Sequence, residues 1–386
     1  MPMDERAYYL GFSAFSGIGP TRFGQILSRF GSAKIAWSAP LPELKEAIGE
    51  AFGRKFDEFR STFDIENYEK KLDKAQVFFV AKIDKEYPKL LNQVAGSPIG
   101  LFVHGNVDLL DSHPGALAIG PQKDSIGRQG DLQNDMSART IAVVGTRKTT
   151  QYGRQVTGMI TRGLVEAGFT IVSGLAMGVD SIAHMTTVES SGKTIAVLGC
   201  GVDCCSPRAN QGIYNSILSS GGAIVSEVPL GHEPTKGMFP SRNRIIAGLS
   251  LGVIVTEGAE DSGSLITAKD ALKFGRPVFA VPGPITSDMS KGPYALISKG
   301  ARLVTKVEDV LDGLHIARGA LQRGKTIKLQ SKEEQVIWDL LVSEPMQIDE
   351  IIRESHLDSS VVSTTLSMME IQGIVRSSGG IFTLIA

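Results

Sequence analysis

Cysteine is scarce: Cys200, Cys204 and Cys205 are the only three in 386 residues. An odd number crowded into one stretch gives no disulfide framework, and no neighbouring histidine or second cysteine pair completes a zinc set. They read as small residues at a strand end in a reducing compartment. Long apolar runs are absent too; none reaches the roughly 18 residues of a membrane-spanning helix, and no signal-peptide pattern opens the chain. A cytoplasmic location with no membrane contact is therefore expected. Charge of one sign is lacking overall, with a net −1 at pH 7. What is present, 42% hydrophobic and 21% charged residues, is ordinary for a soluble globular protein. The length is too great for one core and implies several domains.

The balanced total hides an asymmetry. Residues 331–386 carry nine acidic and three basic side chains, so the rest of the chain is net positive. Nucleic-acid affinity is expected from that larger part. Within 140–310, short apolar runs begin near Ile141, Thr170, Thr194, Ala223, Val253 and Pro277, with helical spacing between them at 152–167, 178–190 and 264–274. This alternation predicts a Rossmann-like, doubly wound α/β domain with a parallel sheet covered on both faces. Two further strand-like runs, 77–81 and 100–104, are expected to flank that sheet. Residues 5–70 read as a small helical module. Its Gly17-Ile18-Gly19-Pro20 turn resembles the hairpins of helix-hairpin-helix and sterile-alpha-motif-like modules. Such hairpins can hold a DNA backbone, but with nine basic and ten acidic residues from the first residue through Lys70 a structural or interaction role is expected here. Residues 113–138 read as an exposed insertion. A basic linker then leads into three helices and a hairpin, the order of a winged helix. Its candidate recognition helix, 359–372, contains no Lys or Arg, so protein contact or packing is expected over duplex reading. The expected boundaries are 1–72, 73–313, a linker at 314–330, and 331–386.

Ligands of doubly wound sheets bind beyond the carboxyl ends of the strands. Three stretches fall there. Gly145-Thr146-Arg147-Lys148 ends one strand, and Ser173-Gly174 opens a small-residue loop after the next. Ser262-Gly263-Ser264, with Thr267 a turn later, opens a helix; Arg242, Asn243 and Arg244 lie at the start of another. Helix N-termini and guanidinium forks suit phosphate oxygens. Lys269, Lys273 and Arg276 are expected to add positive charge nearby. Several anion-holding loops in a row suit a polymer better than a single nucleotide. Asp180 and His184 also fit a Ser–His–Asp set with Ser173, though a packing histidine with a local carboxylate is the expected role. Gly192-Lys193-Thr194 is not a P-loop, because Thr187 stands where the first glycine belongs. Gly199 and Gly201 lack the third glycine of a dinucleotide fingerprint. No cofactor, metal or catalytic residue is expected.

Taken in order, Val144–Arg147, Ser173–Gly178 with Asp180 and His184, Phe239–Arg244, Ser262–Ser264 and Val281–Gly283 resemble the DNA-processing protein A (DprA/Smf) family. The resemblance spans about residues 5–310, with a winged-helix tail typical of some members. It implies a dimeric, cytoplasmic, non-enzymatic protein of natural transformation. Such a protein binds and protects single-stranded DNA, loads the RecA recombinase and helps displace single-strand-binding protein. Carried over, the DNA-contacting residues are Arg147, Lys148, Ser173, Gly174, Arg242, Asn243, Arg244, Ser262, Gly263 and Ser264. Cys205-Ser206-Pro207 departs from the Tyr-Pro frequent in the family. The alternative reading is a nucleotide phosphoribohydrolase of the lysine-decarboxylase-like group. Its catalytic Glu has no counterpart in the two turns after Glu260–Thr267.

Overall fold

A computed structural model of the protein describes residues 4–110, 139–235, 237–316, 329, 331–343, 345–371 and 374–384. The expected insertion at 113–138 and the basic residues of the linker lie outside them. The chain divides into two compact units at Arg318–Gly319.

The first unit opens with six helices: α1 (Glu5–Ala14), α2 (Pro20–Phe30), α3 (Ala33–Trp37), α4 (Leu41–Ile48), α5 (Glu50–Thr62) and α6 (Ile65–Lys74). Their bounds follow local chemistry. Asp4 caps α1 by accepting from the Ala7 amide at 3.1 Å. Pro20 stands in the first turn of α2, and Gly31 closes it at a φ of 74°. Aromatic rings fill the interior, with Phe12 stacked on Phe56 at 4.7 Å and edge-on to Trp37 at 5.4 Å.

The sheet follows as β1 (Val77–Ala81), α7 (Lys89–Asn92), β2 (Gly100–Gly105), β3 (Arg139–Val144), α8 (Gln151–Glu166), β4 (Phe169–Ser173), α9 (Val179–Glu189) and β5 (Thr194–Val197). After these come α10 (Gln211–Ser219), β6 (Ala223–Ser226), α11 (Met238–Gly248), β7 (Val253–Val255), α12 (Ser264–Lys273), β8 (Val278–Ala280), α13 (Lys291–Ile297), β9 (Arg302–Leu303) and α14 (Val307–Gly313). The spatial order is β1-β2-β6-β5-β4-β3-β7-β8-β9. Strands from β6 through β9 run parallel to their neighbours, as expected. The runs expected to flank the sheet do so at its β6 edge, as an antiparallel extension in which Phe79 opposes Phe102 and Phe102 opposes Ser226. Phe79, Phe102, Ala196, Leu198 and Ile224 face the helical module and share one apolar core with Phe12, Phe23 and Phe56. Leu101, Val103, Ile195, Val197 and Val225 face the other way, toward Ile245 and Ile246 of α11.

The second unit holds α15 (Lys332–Ser343), β10 (Met346–Gln347), α16 (Ile348–Ser355), α17 (Ser359–Ile371), β11 (Val375–Ser378) and β12 (Ile381–Leu384). Its strands order β10-β12-β11, a winged helix around Ile337, Ile351, Val362, Leu366 and Met369.

His184 on α9 joins β4 and β5 from within the first unit. Its Nε2 accepts from the Leu175 amide at 3.3 Å. Thr194 donates its own proton to the Ile171 carbonyl, so it accepts from His184 Nδ1 at 2.7 Å. The ring is therefore neutral, and burial, with the Arg242 charge nearby, pushes its pKa from 6.5 down to about 3. The unfolded chain takes up this proton near 6.5 and the folded chain does not, so stability falls as pH drops through that window. Urea titrations should show about 2 kcal/mol of loss from this group between pH 6.5 and about 4.5. His184→Gln should remove that share of the pH dependence whatever its effect on absolute stability.

Candidate nucleic-acid interface

From β3 the chain moves through β4 and β5 to β6, then crosses back to place β7 on the other side of β3. The β3/β7 boundary is the topological switch point, where the loops at the strand ends part and leave a crevice. Close backbone approach locks those loops together. A Cβ on Gly145 would lie 2.5 Å from the Val179 side chain and 2.6 Å from the Glu257 carbonyl. The Thr146 amide donates to that same carbonyl at 2.8 Å. The Glu257 carboxylate accepts from the Thr150 amide at 3.0 Å and the Thr150 hydroxyl at 2.6 Å.

A pocket of about 200 Å³ opens in the crevice. Gly145, Arg147, Arg242, Asn243, Ser262, Gly263, Ser264 and Thr267, all picked out by sequence, line it. Thr146, Lys148, Ser173, Gly174 and Arg244 surround it without lining it. Thr146 is buried, its hydroxyl accepting from the Lys148 amide at 3.1 Å. Ser173 is buried and donates to the Val143 carbonyl at 2.7 Å. Lys148 is exposed beside the exposed Arg147. Ser262 and Ser264 exchange a hydrogen bond at 2.8 Å where α12 begins, and the Asn243 amide reaches the Gly263 carbonyl at 3.3 Å.

The three arginines differ in employment. The Arg147 guanidinium lies 5.5 Å from the centre of the Phe239 ring and faces solvent. Arg244 is held by both carboxylate oxygens of Glu227, at 3.0 and 2.6 Å. Arg242 lies a turn inside α11, only 5% exposed, and donates to the Val197 carbonyl. Burial draws its pKa below the ordinary value, while burial pushes the Asp180 carboxyl up against the pull of Arg242. Asp180 in turn accepts from the Gly174 and Ala176 amides at 3.2 and 3.3 Å, holding a loop in which Leu175 adopts a left-handed φ of 56°. Arg242 and Asp180 thus form the pocket floor.

One sequence expectation needs correction. Lys269, Lys273 and Arg276, expected to add charge nearby, do not line the pocket. Lys273 pairs with Asp270 at 3.6 Å, and Arg276 is buried against the Leu90 carbonyl at 3.4 Å. Cys200, expected at a strand end, sits buried in the loop directly after β5. The Ser–His–Asp alternative is also excluded, because both ring nitrogens of His184 bond Leu175 and Thr194 while Ser173 bonds Val143. Phe239, quoted in the motif but not picked as a contact, also lines the pocket. Its placement three residues before Arg242 on one helix was the available signal.

Arg242→Ala should destabilise the fold by about 3 kcal/mol, because it leaves the buried Asp180 without its compensating charge. Urea denaturation measures this. A variant as stable as the parent would return Arg242 to the role of a mere surface donor.

The chain is similar to known proteins in sequence and fold. The model of DNA recombination-mediator protein A matches residues 125–315, and that of the DprA winged helix domain matches 325–380. Protein Smf of Synechocystis is 31% identical over 98% of either chain. DNA processing protein DprA of Streptococcus pneumoniae is 40% identical over 59% of this chain and 71% of its own. An X-ray structure of the Streptococcus pneumoniae protein is similar with a TM-score of 0.64 at 33% identity, covering 81% of this chain and 98% of that one. A Helicobacter pylori DNA processing protein A, described for its single-stranded DNA binding mode, is similar with a TM-score of 0.50 at 29% identity, covering 62% and 96%. With 31% identity over nearly the full length of a Smf protein, family matches over both units and a shared fold, the chain belongs to the DNA-processing protein A (DprA/Smf) family.

Proposed function

We propose that this protein is a cytoplasmic, non-enzymatic mediator of natural transformation that binds single-stranded DNA at the switch-point pocket. In this reading it protects the incoming strand, loads RecA recombinase onto it with displacement of single-strand-binding protein, and works as a homodimer. The observation that carries the reading is the composition of the pocket. An exposed arginine beside an aromatic ring meets a helix start rich in small hydroxyl residues, on a floor already neutralised by its own carboxylate. Arg147 and Lys148 are the side chains free to meet phosphates, and Phe239 offers a face for a base. Asn243, Ser262 and Gly263 supply polar contacts at the opposite rim. Ser173, Gly174, Thr146 and Arg242 act beneath these as positioning residues, and Arg244 braces α11.

Two findings support binding over hydrolysis. Asp180 is the acidic residue among those lining the pocket, and its carboxylate is tied to two amides on the floor. Glu257, one strand end away, is only 2% exposed and is held by Thr150. Neither carboxylate is placed for a hydrolase general base. The Helicobacter pylori relative described by its single-stranded DNA binding mode adds weight from within the family.

Fluorescence anisotropy with a labelled single-stranded oligonucleotide across a salt series tests the proposal. Affinity should fall steeply with salt and show little sequence preference. Arg147→Ala with Lys148→Ala should flatten the log–log salt slope by about 1.4. Phe239→Ala should cost about 1–3 kcal/mol at every salt concentration. A salt-independent affinity would sink the reading, and release of a free base from a nucleoside monophosphate would restore the hydrolase alternative.

A further inference from the structure

We infer that Glu257 is a positioning residue for strand binding, clamping the loop that carries Arg147 and Lys148 at both of its ends. The inference rests on the single-stranded DNA reading above. Residues 146–150 lead from β3 into α8, and Arg147 and Lys148 stand exposed between the two ends. A loop with two long cationic side chains has many conformations open to it, and ordering it during binding lowers affinity. A loop ordered beforehand avoids that loss.

Both grips come from one residue. The Glu257 main-chain carbonyl accepts from the Thr146 amide at 2.8 Å. Its carboxylate accepts from the Thr150 amide at 3.0 Å and, through the other oxygen, from the Thr150 hydroxyl at 2.6 Å. With its proton directed at the carboxylate, that hydroxyl turns a lone pair to the Gly153 amide at 3.0 Å and caps α8. Between the two grips, the Lys148 amide donates to the Thr146 hydroxyl at 3.1 Å. From the other side, a Cβ on Gly178 would stand 2.8 Å from Arg147 Cα, so the start of α9 walls the loop as well. Hydrogen bonds to a carboxylate are roughly twice as strong as neutral ones. These lie out of water, because Glu257 is only 2% exposed.

Gly153 leaves the space that the carboxylate occupies. A Cβ at this position would lie 1.7 Å from Glu257 Oε2 and 2.1 Å from Cδ. Glycine lowers helix propensity, and here its missing side chain admits the clamp. By charge alone, a carboxylate beside the path of a polyanion weakens binding. Charge and positioning therefore give opposite signs for the loss of Glu257.

Two variants use that opposition. Glu257→Gln removes the charge in a nearly isosteric side chain and replaces one accepting oxygen by an N–H donor. Gly153→Ala keeps every charge, raises helix propensity and displaces the carboxylate from Thr150. Anisotropy would be read with a labelled thymidine oligonucleotide of about 12 nucleotides, at a temperature where thermal melts show each variant folded. Each variant should weaken binding about tenfold. In the Arg147→Ala/Lys148→Ala background the same changes should alter affinity less than about twofold, because the side chains they position are gone. General damage to the fold would instead carry over to that background in full. Tighter or unchanged binding by either folded variant, or full additivity in the Arg147→Ala/Lys148→Ala background, would overturn the positioning role and leave the binding site standing. No binding by the parent protein would remove the single-stranded DNA reading, and this inference with it.

Discussion

A buried guanidinium under the switch point constrains most of what surrounds it. Arg242 reaches the end of β5 through the Val197 carbonyl and lies so close to the β4 loop that a Cβ on Gly174 would stand 2.0 Å from its Nη1. An interior cation is tolerated only with compensation, and Asp180 provides it. That carboxylate also fixes the amides of residues 174 and 176. Through these backbone bonds Arg242 and Asp180 tie the ends of β4 and β5 to α9 and α11. The rim can then present donors without rearranging when an anion arrives, which is the condition for binding at little entropic cost.

The fold was largely legible because its core strands are buried on both faces. Continuous apolar runs such as Ile141–Val144 and Ile171–Val172 are the pattern of strands covered on both faces. Proline and glycine also marked α2 at both ends. The direction of β1 and β2 was not legible. A five-residue apolar strand carries the same pattern in parallel and antiparallel pairing, and only the connection between strands decides. The consequence is large, since those two strands carry Phe79 and Phe102 into the core of the helical module.

At the site, sequence located the loops but could not sort the arginines. Arg147, Arg242 and Arg244 are the same letter, and burial alone separates an exposed donor from a floor cation and a braced strut. Some of that sorting had readable correlates: Gly174 has no side chain to obstruct Arg242, and Glu227 ends the strand opposite Arg244. Grouping Lys273 and Arg276 with the pocket failed for a geometric reason. A ten-residue helix carries its far end about 15 Å from its start, so neighbours in sequence along α12 are not neighbours at the crevice.

Charge partition along the chain fits the same logic. In the winged helix, α17 presents serines, threonines and methionines where a duplex reader would need lysine or arginine. The first unit holds the surplus of positive charge, yet much of that surplus is paired: Arg29 with Glu46, Arg54 with Glu50, Arg60 with Asp57 and Arg244 with Glu227. Total charge is therefore a poor guide to where a polyanion would lie. Cations without a carboxylate partner matter more, because an ion pair already made must be broken or shared before a phosphate gains from it. Among the described residues, Arg147 and Lys148 meet that condition at the switch point.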